Sequence, residues 1–392
     1  MTRDVQFKIP YGRQSVSKDD IDTVVDTLTS DWLTQGPAVD KFEDAVANYC
    51  GAAFGVAVSN ATAALHLACL SLGVGPNDTV WTSPNTFVAS ANCALYCGAA
   101  VDFVDIDSNS LNMSVSALRT KLMAASVNGK LPKCVIPVHF AGQSCDMESI
   151  KDLSEQYGFH IIEDASHAIG GTYKGTQIGS CRYSDITVFS FHPVKIITTG
   201  EGGMVMTNQK VIRDKVMTLR SHGITRNATE MEQGSSGPWD YQQLQLGYNY
   251  RLTDIQAALG LSQLQRITEF VNTRIKIVET YRHAFANASI QVQSKSHDSV
   301  SANHLFIIRL SGEDIKNRLS IFNRLRDLGI GVNVHYKPVH MQPFYQRLGF
   351  GVGDFPEAER YYSEAITLPL HPRLSDAEIA HIVNSVKSCV TG

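Results

Sequence analysis

Short apolar runs alternate with helical patterns between residues 50 and 208, and this alternation is the strongest constraint on the fold. The run "FGVAVSN" (54–60) is typical of a buried strand. The next segment, "ATAALHLACLSLG" (61–73), places apolar residues on one helical face and ends in a glycine. Six further strands are predicted in 78–87, 99–107, 133–142, 160–166, 185–192 and 203–208. Strands that alternate with helices predict a mainly parallel sheet that is covered on both faces, and hence an α/β fold.

The pattern changes after about residue 250, which indicates a second and smaller domain. Residues 252–286 have the pattern of one long helix. A strand is predicted at 304–310, then a helix, a turn and a strand within 321–336, and a last helix from Asp376. We therefore expect a large domain over 1–260 and a smaller α+β domain over 261–392, with the N-terminal residues packed near the smaller one.

Composition excludes several classes of protein. Hydrophobic residues make up 43% of the 392 residues and charged residues 18%, which is enough for a large core. The net charge of -4 and the lack of a long basic run argue against a general nucleic-acid binder. No apolar stretch is long enough to predict a membrane span, and the N-terminus has no apolar signal segment. Eight scattered cysteines without a C-x-x-C pair suit a reduced, cytoplasmic protein.

The segment "SFHPVKIITTGEGG" (190–203) sets Lys195 among apolar residues and close to three glycines. Two interpretations are open. Lys195 either lies on a solvated loop, which this segment alone slightly favours, or is a buried amine whose charge is lost, as in a Schiff-base lysine.

Other residues that could take part in catalysis or ligand binding follow predicted strands. Asp164 ends the strand in "HIIEDAS", where it is either a fixed carboxylate at the ligand-binding edge of the sheet or a helix N-cap. Ala61 and Thr62 open a helix directly after a strand, and such a helix N-terminus can bind phosphate. Phe87 lies just past the next strand, where an aromatic side chain is either core or a stacking partner for a flat ligand.

Taken together, a phosphate site, a stacking aromatic, a strand-end aspartate and a semi-buried lysine suit one cofactor, pyridoxal 5′-phosphate (PLP). No metal site is expected, because no cysteine or carboxylate completes a zinc set beside His335 and His340 in "HYKPVH".

The motifs also resemble a known family, the DegT/DnrJ/EryC1/StrS aminotransferases, which are PLP-dependent transferases of fold type I. The resemblance covers nearly the whole chain. It is carried by the segments "PYGRQ", "TQGP", "SNATAALHL", "PNTFVAS", "PVHFAGQ", "EDASHAIGG", "SFHPVKIITTGEGG", "GYNYRLTDIQAALGL" and "HYKPVH". It implies a large domain with a mainly parallel seven-stranded sheet, a smaller α+β C-terminal domain, and a homodimer with shared active sites.

The resemblance also implies roles for individual residues. Lys195 would be the Schiff-base lysine and Asp164 the partner of the pyridinium nitrogen. The remaining cofactor contacts would come from Ala61, Thr62, Phe87, His167, Ser190 and, from the second subunit, Asn249. Substrate would be bound by Thr34, His335 and Tyr336. A branch of the family with histidine in place of this lysine catalyses dehydration, and Lys195 argues against that branch.

Within the family, "SFHPVKIITTGEGG" is similar to enzymes that aminate C4 of nucleotide-linked 4-keto-6-deoxy-hexoses. The implied reaction moves an amino group from L-glutamate, by way of pyridoxamine 5′-phosphate (PMP), to UDP-2-acetamido-2,6-dideoxy-L-arabino-hexos-4-ulose, a precursor of pseudaminic acid. Two alternatives stay open: a dTDP-sugar C3 or C4 aminotransferase or other keto-sugar aminotransferase of the family, and a catalytically silent PLP-fold sensor.

Overall fold

The computed structural model of the chain describes residues 8–390, and its strands form one large sheet and three small ones. The strands are β1 (Phe54–Val58), β2 (Thr79–Thr82), β3 (Ala100–Phe103), β4 (Cys134–Ile136), β5 (His160–Asp164), β6 (Thr172–Tyr173), β7 (Thr176–Gln177), β8 (Ile186–Ser190), β9 (Gly203–Thr207), β10 (Ile224–Thr225), β11 (Gln242–Gln243), β12 (Ile290–Val292), β13 (Ser299–Val300), β14 (Phe306–Leu310) and β15 (Ala365–Leu368).

The large sheet has seven strands in the order β1-β9-β8-β5-β4-β2-β3, and these are the seven predicted from the sequence. Strand β9 runs antiparallel to both of its neighbours, whereas the pairings among β8, β5, β4, β2 and β3 are parallel. The expected α/β fold with a mainly parallel sheet is therefore confirmed.

Helices cover both faces of this sheet. They are α1 (Lys18–Leu28), α2 (Pro37–Cys50), α3 (Ala61–Ser71), α4 (Ala89–Tyr96), α5 (Val115–Val127), α6 (Met147–Tyr157), α7 (Lys210–Arg220), α8 (Asp254–Leu264), α9 (Ile267–Phe285), α10 (Arg318–Asp327), α11 (Pro343–Gln346), α12 (Pro356–Glu364) and α13 (Asp376–Cys389). Strand β1 shows how the layers form: Val56 and Val58 belong to the same apolar cluster as α3, while Ala57, between them, belongs to the cluster of α2 on the other face.

The prediction of one long helix over 252–286 is wrong, because the structure ends α8 at Leu264 and begins α9 at Ile267. At this break Gln263 and Arg266 both donate hydrogen bonds to the buried Asp20 of α1, at 2.6 and 2.5 Å. These contacts join residues about 240 positions apart in the sequence, so local hydrophobic periodicity cannot predict them.

The C-terminal part is built on the sheet β12-β14-β15, and α13 begins at Asp376 as predicted. The strand predicted within 321–336 is wrong, since the segment after α10 makes only isolated bridges, from Ile330 to Ile9 and from Asn333 to Thr367. Ile9 is buried in the apolar cluster of this part, and residues 1–7, on which part of the N-terminal prediction falls, lie outside the described residues. The domain boundary at residue 260 stays a prediction. Between residues 8 and 390, no helix has both the length and the apolar character of a membrane crossing.

Candidate active site

The carboxyl ends of three strands converge at one edge of the large sheet. Asp164 is the last residue of β5 and Ser190 the last residue of β8. The end of β1 lies at the same edge, because Gly203 of β9 pairs with Ser190 on one side and with Val58, the last residue of β1, on the other. Since β1 leads directly into α3, the start of that helix lies beside Ser190.

The N-terminus of α3 forms one wall of this edge. Asn60 caps the helix, and its side-chain oxygen accepts a hydrogen bond of 2.9 Å from the Ala63 amide. The first two helical residues, Ala61 and Thr62, line the adjoining cavity. A helix N-terminus carries free amides and a partial positive charge, so this wall favours an anion.

Gly203 is what lets the strand approach the helix so closely. A Cβ atom at this position would lie 2.6 Å from the Asn60 carbonyl carbon and 2.7 Å from the Ala61 nitrogen. Any larger residue would force β9 and the helix start apart. Gly200 in the same segment does not serve this close approach, because a Cβ there would meet no atom within 4 Å.

Asp164 is buried and held through both carboxylate oxygens. The Ser90 hydroxyl donates to Oδ2 at 2.6 Å, and the Ser166 amide donates to Oδ1 at 3.1 Å. Turns rather than a helix follow Asp164 in the described chain, so the helix N-cap interpretation is wrong. The carboxylate lines the cavity and can face a cationic group there.

Lys195 lines the same cavity and is half-buried. Burial lowers the pKa of its ammonium group to about 8, and the attraction of Asp164 offsets only part of this effect. The structure thus favours the buried-amine interpretation over the solvated loop. Such an amine loses its proton at around pH 8, whereas an ordinary lysine keeps it until about pH 10.5.

Aromatic and imidazole rings line the same cavity as Lys195. The Tyr336 hydroxyl and His167 Nε2 are 3.2 Å apart, while His167 Nδ1 is buried without a hydrogen-bond partner among the described residues. Burial and the charge of Lys195 hold the pKa of His167 well below its usual value, so this ring is neutral. Burial likewise lowers the pKa of His335 to about 3, and its Nδ1 lies 2.9 Å from the Thr367 hydroxyl.

Nine of the eleven residues predicted for the site line one cavity of about 920 Å³: Ala61, Thr62, Phe87, Asp164, His167, Ser190, Lys195, His335 and Tyr336. Phe87 is 59% exposed at this cavity and is therefore free to contact a flat ligand. Thr34 and Asn249 are exposed and lie outside the cavity of their own chain.

Several cavity residues were missed at the level of sequence. Tyr11 and His304 come from segments far apart in the chain, and the His304 ring lies 4.5 Å from the ring of His167. Ser90, which holds Asp164, sits in the "PNTFVAS" segment, but its spacing of 74 residues from Asp164 gives no signal in a single sequence.

The donor set fits PLP. The α3 N-terminus, the Thr62 side chain and the Ser190 hydroxyl suit a phosphate group, and Asp164 suits a protonated ring nitrogen. The unpartnered His167 Nδ1 leaves a buried polar atom available for an oxygen substituent of the ring. The fold and this site define the class of PLP-dependent aminotransferases.

The comparisons with known proteins place the chain within that class. It belongs to the DegT/DnrJ/EryC1/StrS aminotransferase family, whose model matches residues 14–387. It is 37% identical to the UDP-4-amino-4,6-dideoxy-N-acetyl-β-L-altrosamine transaminase of Campylobacter jejuni serotype O:23/36, over 94% of this chain and 93% of that protein.

Solved structures agree with this assignment. PseC of Helicobacter pylori, an aminotransferase of pseudaminic acid biosynthesis, superimposes with a TM-score of 0.89 at 30% identity, over 97% of this chain and 99% of that one. The candidate sugar aminotransferase Spr1654 of Streptococcus pneumoniae, in its PMP form, gives a TM-score of 0.89 at 33% identity, over 97% and 99% of the two chains. This chain is thus a sugar aminotransferase with PLP as cofactor, which confirms the predicted family, enzyme class and cofactor and removes the silent-sensor alternative.

Proposed function

We propose that the enzyme transfers the amino group of L-glutamate to C4 of a UDP-linked 4-keto-6-deoxy-hexose, UDP-2-acetamido-2,6-dideoxy-L-arabino-hexos-4-ulose, in the formation of pseudaminic acid. The single observation that carries the chemistry is an amine of lowered pKa, Lys195, in one cavity with the carboxylate of Asp164. The similarity to the Campylobacter and Helicobacter enzymes supports the choice of sugar and of carbon atom.

The proposed binding mode follows from the walls of the cavity. The phosphate of PLP would lie against the α3 N-terminus, where Ala61, Thr62 and Ser190 meet. Phe87 would stack on the ring, and His167 would bind its oxygen substituent while the Tyr336 hydroxyl holds the other side of the imidazole.

Asp164 and Lys195 would have different roles in the reaction. PLP, when bound, supplies an electron sink for the carbon from which a proton is removed. Asp164 would pair with the ring nitrogen, and the Lys195 amine would bind the cofactor covalently. The Lys195 amine would also hold the proton that moves between carbon atoms, because a group with a pKa of about 8 can both accept and give back a proton.

The substrate would enter from the side of the cavity where His335 and Tyr336 lie, and we propose that both contact the sugar nucleotide. His335 is neutral, so it would contribute hydrogen bonds rather than charge. Thr34 is exposed and outside the cavity of its own chain, so it can contribute only if a loop or a second subunit brings it there.

A homodimer with shared sites is also part of the proposal. Asn249 is exposed and lies outside its own cavity. The side chains of Trp239 and Leu246, which precede it in the chain, are 75% and 79% exposed. Exposed apolar groups beside a polar donor suit a surface that a second copy covers. Asn249 would then reach the phosphate site of the partner subunit.

A substrate panel tests the proposal. The purified enzyme is incubated with L-glutamate and each of several UDP- and dTDP-linked 4-keto and 3-keto sugars, and 2-oxoglutarate release is measured. We expect the highest kcat/KM with the UDP-linked 4-keto sugar of L-arabino configuration. Preference for a dTDP sugar, or amination at C3, would replace the proposed substrate by the alternative within the family.

A further inference from the structure

Two hydroxyl groups form a hydrogen-bonded chain that ends at Asp164. The Ser90 hydroxyl, on α4, lies 2.6 Å from Asp164 Oδ2, and the Thr86 hydroxyl lies 2.7 Å from the Ser90 oxygen. Ser90 is 0% exposed and is not a cavity residue, whereas Thr86 is buried but reaches the cavity wall. No role in the reaction has so far been given to either residue.

The direction of these hydrogen bonds follows from the charge of the carboxylate. An ionised carboxylate only accepts, so the Ser90 O–H donates to Asp164 Oδ2. Ser90 has one proton, and a competing acceptor, the Phe87 carbonyl, is farther away at 3.4 Å. The Thr86 O–H therefore donates to the Ser90 oxygen, and this bond polarises Ser90 as a donor toward Asp164.

Each carboxylate oxygen of Asp164 thereby accepts a hydrogen bond from a fixed donor of the protein. Ser90 holds Oδ2, and the Ser166 amide holds Oδ1 at 3.1 Å. A short hydrogen bond to an ionised group favours the charged form over the protonated one. It also fixes the rotation of the carboxylate, because two donors from different segments define its plane.

We propose that Ser90, supported by Thr86, is a positioning residue that fixes the rotation of the Asp164 carboxylate, so that the shared proton stays on the ring nitrogen of PLP. This inference rests on the proposed pairing of Asp164 with that nitrogen. The proton has two possible places, the nitrogen or a carboxylate oxygen, and the Ser90 hydrogen bond disfavours the second because Oδ2 already accepts a hydrogen bond from a donor of the protein. Without it the ring nitrogen loses part of its positive charge and accepts electrons less well.

Spectroscopy on the PLP-loaded enzyme tests this directly. The protein is loaded with PLP that carries ¹⁵N in its ring, and the ¹⁵N chemical shift is recorded for wild type, Ser90→Ala, Thr86→Val and Asp164→Asn. Ser71→Ala is the matched control, since it also removes a buried hydroxyl, one that bonds only within its own helix to the Ala68 carbonyl. Affinity for PLP is measured by titration of each apoenzyme.

We expect Ser90→Ala to move the ¹⁵N signal from the pyridinium position toward that of neutral pyridine, and to weaken PLP binding and kcat/KM by about tenfold each, the effect of one hydrogen bond to a charged group. Thr86→Val should move the signal less, in the same direction, and Ser71→Ala should leave it in place.

Two results would overturn the inference, and they are distinguishable. If Asp164→Asn moves the signal but Ser90→Ala does not, even with reduced activity, Ser90 is only structural. If Asp164→Asn itself leaves the signal at the pyridinium position, the pairing of Asp164 with the ring nitrogen is wrong, and the role of Ser90 is wrong with it.

Discussion

The amine of Lys195 is the residue on which the proposed mechanism depends most directly. Its lowered pKa has a geometric cause, since burial at the cavity wall penalises the charge more than Asp164 restores it. An ordinary lysine has the same chemistry but is almost fully protonated at neutral pH. The enclosed position is therefore what makes Lys195 usable as a base.

The lowered pKa predicts how the apoenzyme captures PLP at different pH values. Only the neutral amine attacks the PLP aldehyde, and half of the Lys195 side chains are neutral at about pH 8, against a usual pKa of 10.5. The rate of PLP capture, followed by absorbance in a stopped-flow instrument, should rise with pH and level off above about 8. A rate that still climbs steeply beyond pH 10 would contradict the lowered pKa.

Substitution of Lys195 tests its proposed role. Lys195→Ala removes the amine, and Lys195→Arg keeps a charge that does not dissociate, so both should lose about 10²- to 10⁴-fold or more in turnover. After borohydride treatment, wild-type protein should carry covalently attached PLP, and neither variant should. Circular dichroism serves as the folding control, and normal turnover by either variant would refute the assignment.

At the scale of elements, the phosphate site depends on how closely β9 approaches the start of α3. The Asn60 cap orders the first turn of the helix, and Gly203 lets the strand lie against it. Neither element makes the site alone, because the helix supplies the amides and the strand fixes their distance from Ser190.

The substitution Gly203→Ala is therefore predicted to damage PLP binding. The new Cβ would lie within 3 Å of three backbone atoms of Asn60 and Ala61, which cannot move without shifting the helix start. We expect at least a tenfold weaker PLP affinity by titration, with a stability loss of about 1–3 kcal/mol in urea unfolding.

Gly75→Ala is the matched control for this prediction, because a Cβ at Gly75 meets no atom within 4 Å. It should leave both PLP affinity and unfolding unchanged. Wild-type PLP binding by Gly203→Ala would show that the helix start tolerates displacement, and would argue against its role as the phosphate site.

At the scale of the whole molecule, the open question is whether one chain makes a complete site. Thr34 and Asn249 were both predicted as site residues from the family resemblance, and both lie outside the cavity of their own chain. The proposed homodimer would explain this for Asn249 by placing it in the partner's site.

Complementation between two inactive variants tests the shared site. Lys195→Ala subunits are mixed with Asn249→Asp subunits, in which a carboxylate would repel the phosphate of PLP. In a shared-site dimer, one of the two sites in each mixed dimer combines a native Lys195 with a native Asn249. We therefore expect up to about half the wild-type activity per mixed dimer.

Mixed dimers are identified by two different affinity tags and purified in tandem before assay. Purified mixed dimers that are as inactive as both parents would mean that the two residues act within one chain. Failure of the enzyme to dimerise, measured by light scattering, would refute the shared site outright.

The sequence alone determined the fold class and predicted the candidate site residues, because both follow from short-range patterns. Seven strands, the strand-end Asp164, the helix start at Ala61 and the lysine in its apolar segment each depend on about ten neighbouring residues. Family motifs over nearly the whole chain added the cofactor and the class of enzyme.

Only the tertiary structure decided how these pieces act together. The break between α8 and α9 reflects hydrogen bonds to Asp20, far away in sequence, and no periodicity predicts it. The choice between a solvated and a buried Lys195 depended on the cavity around it. The hydroxyl of Ser90 meets Asp164 only because the tertiary structure brings the start of α4 beside the end of β5. Burial and long-range hydrogen bonds set the pKa values and the rotation of side chains, and both arise from contacts between segments that the sequence does not place side by side.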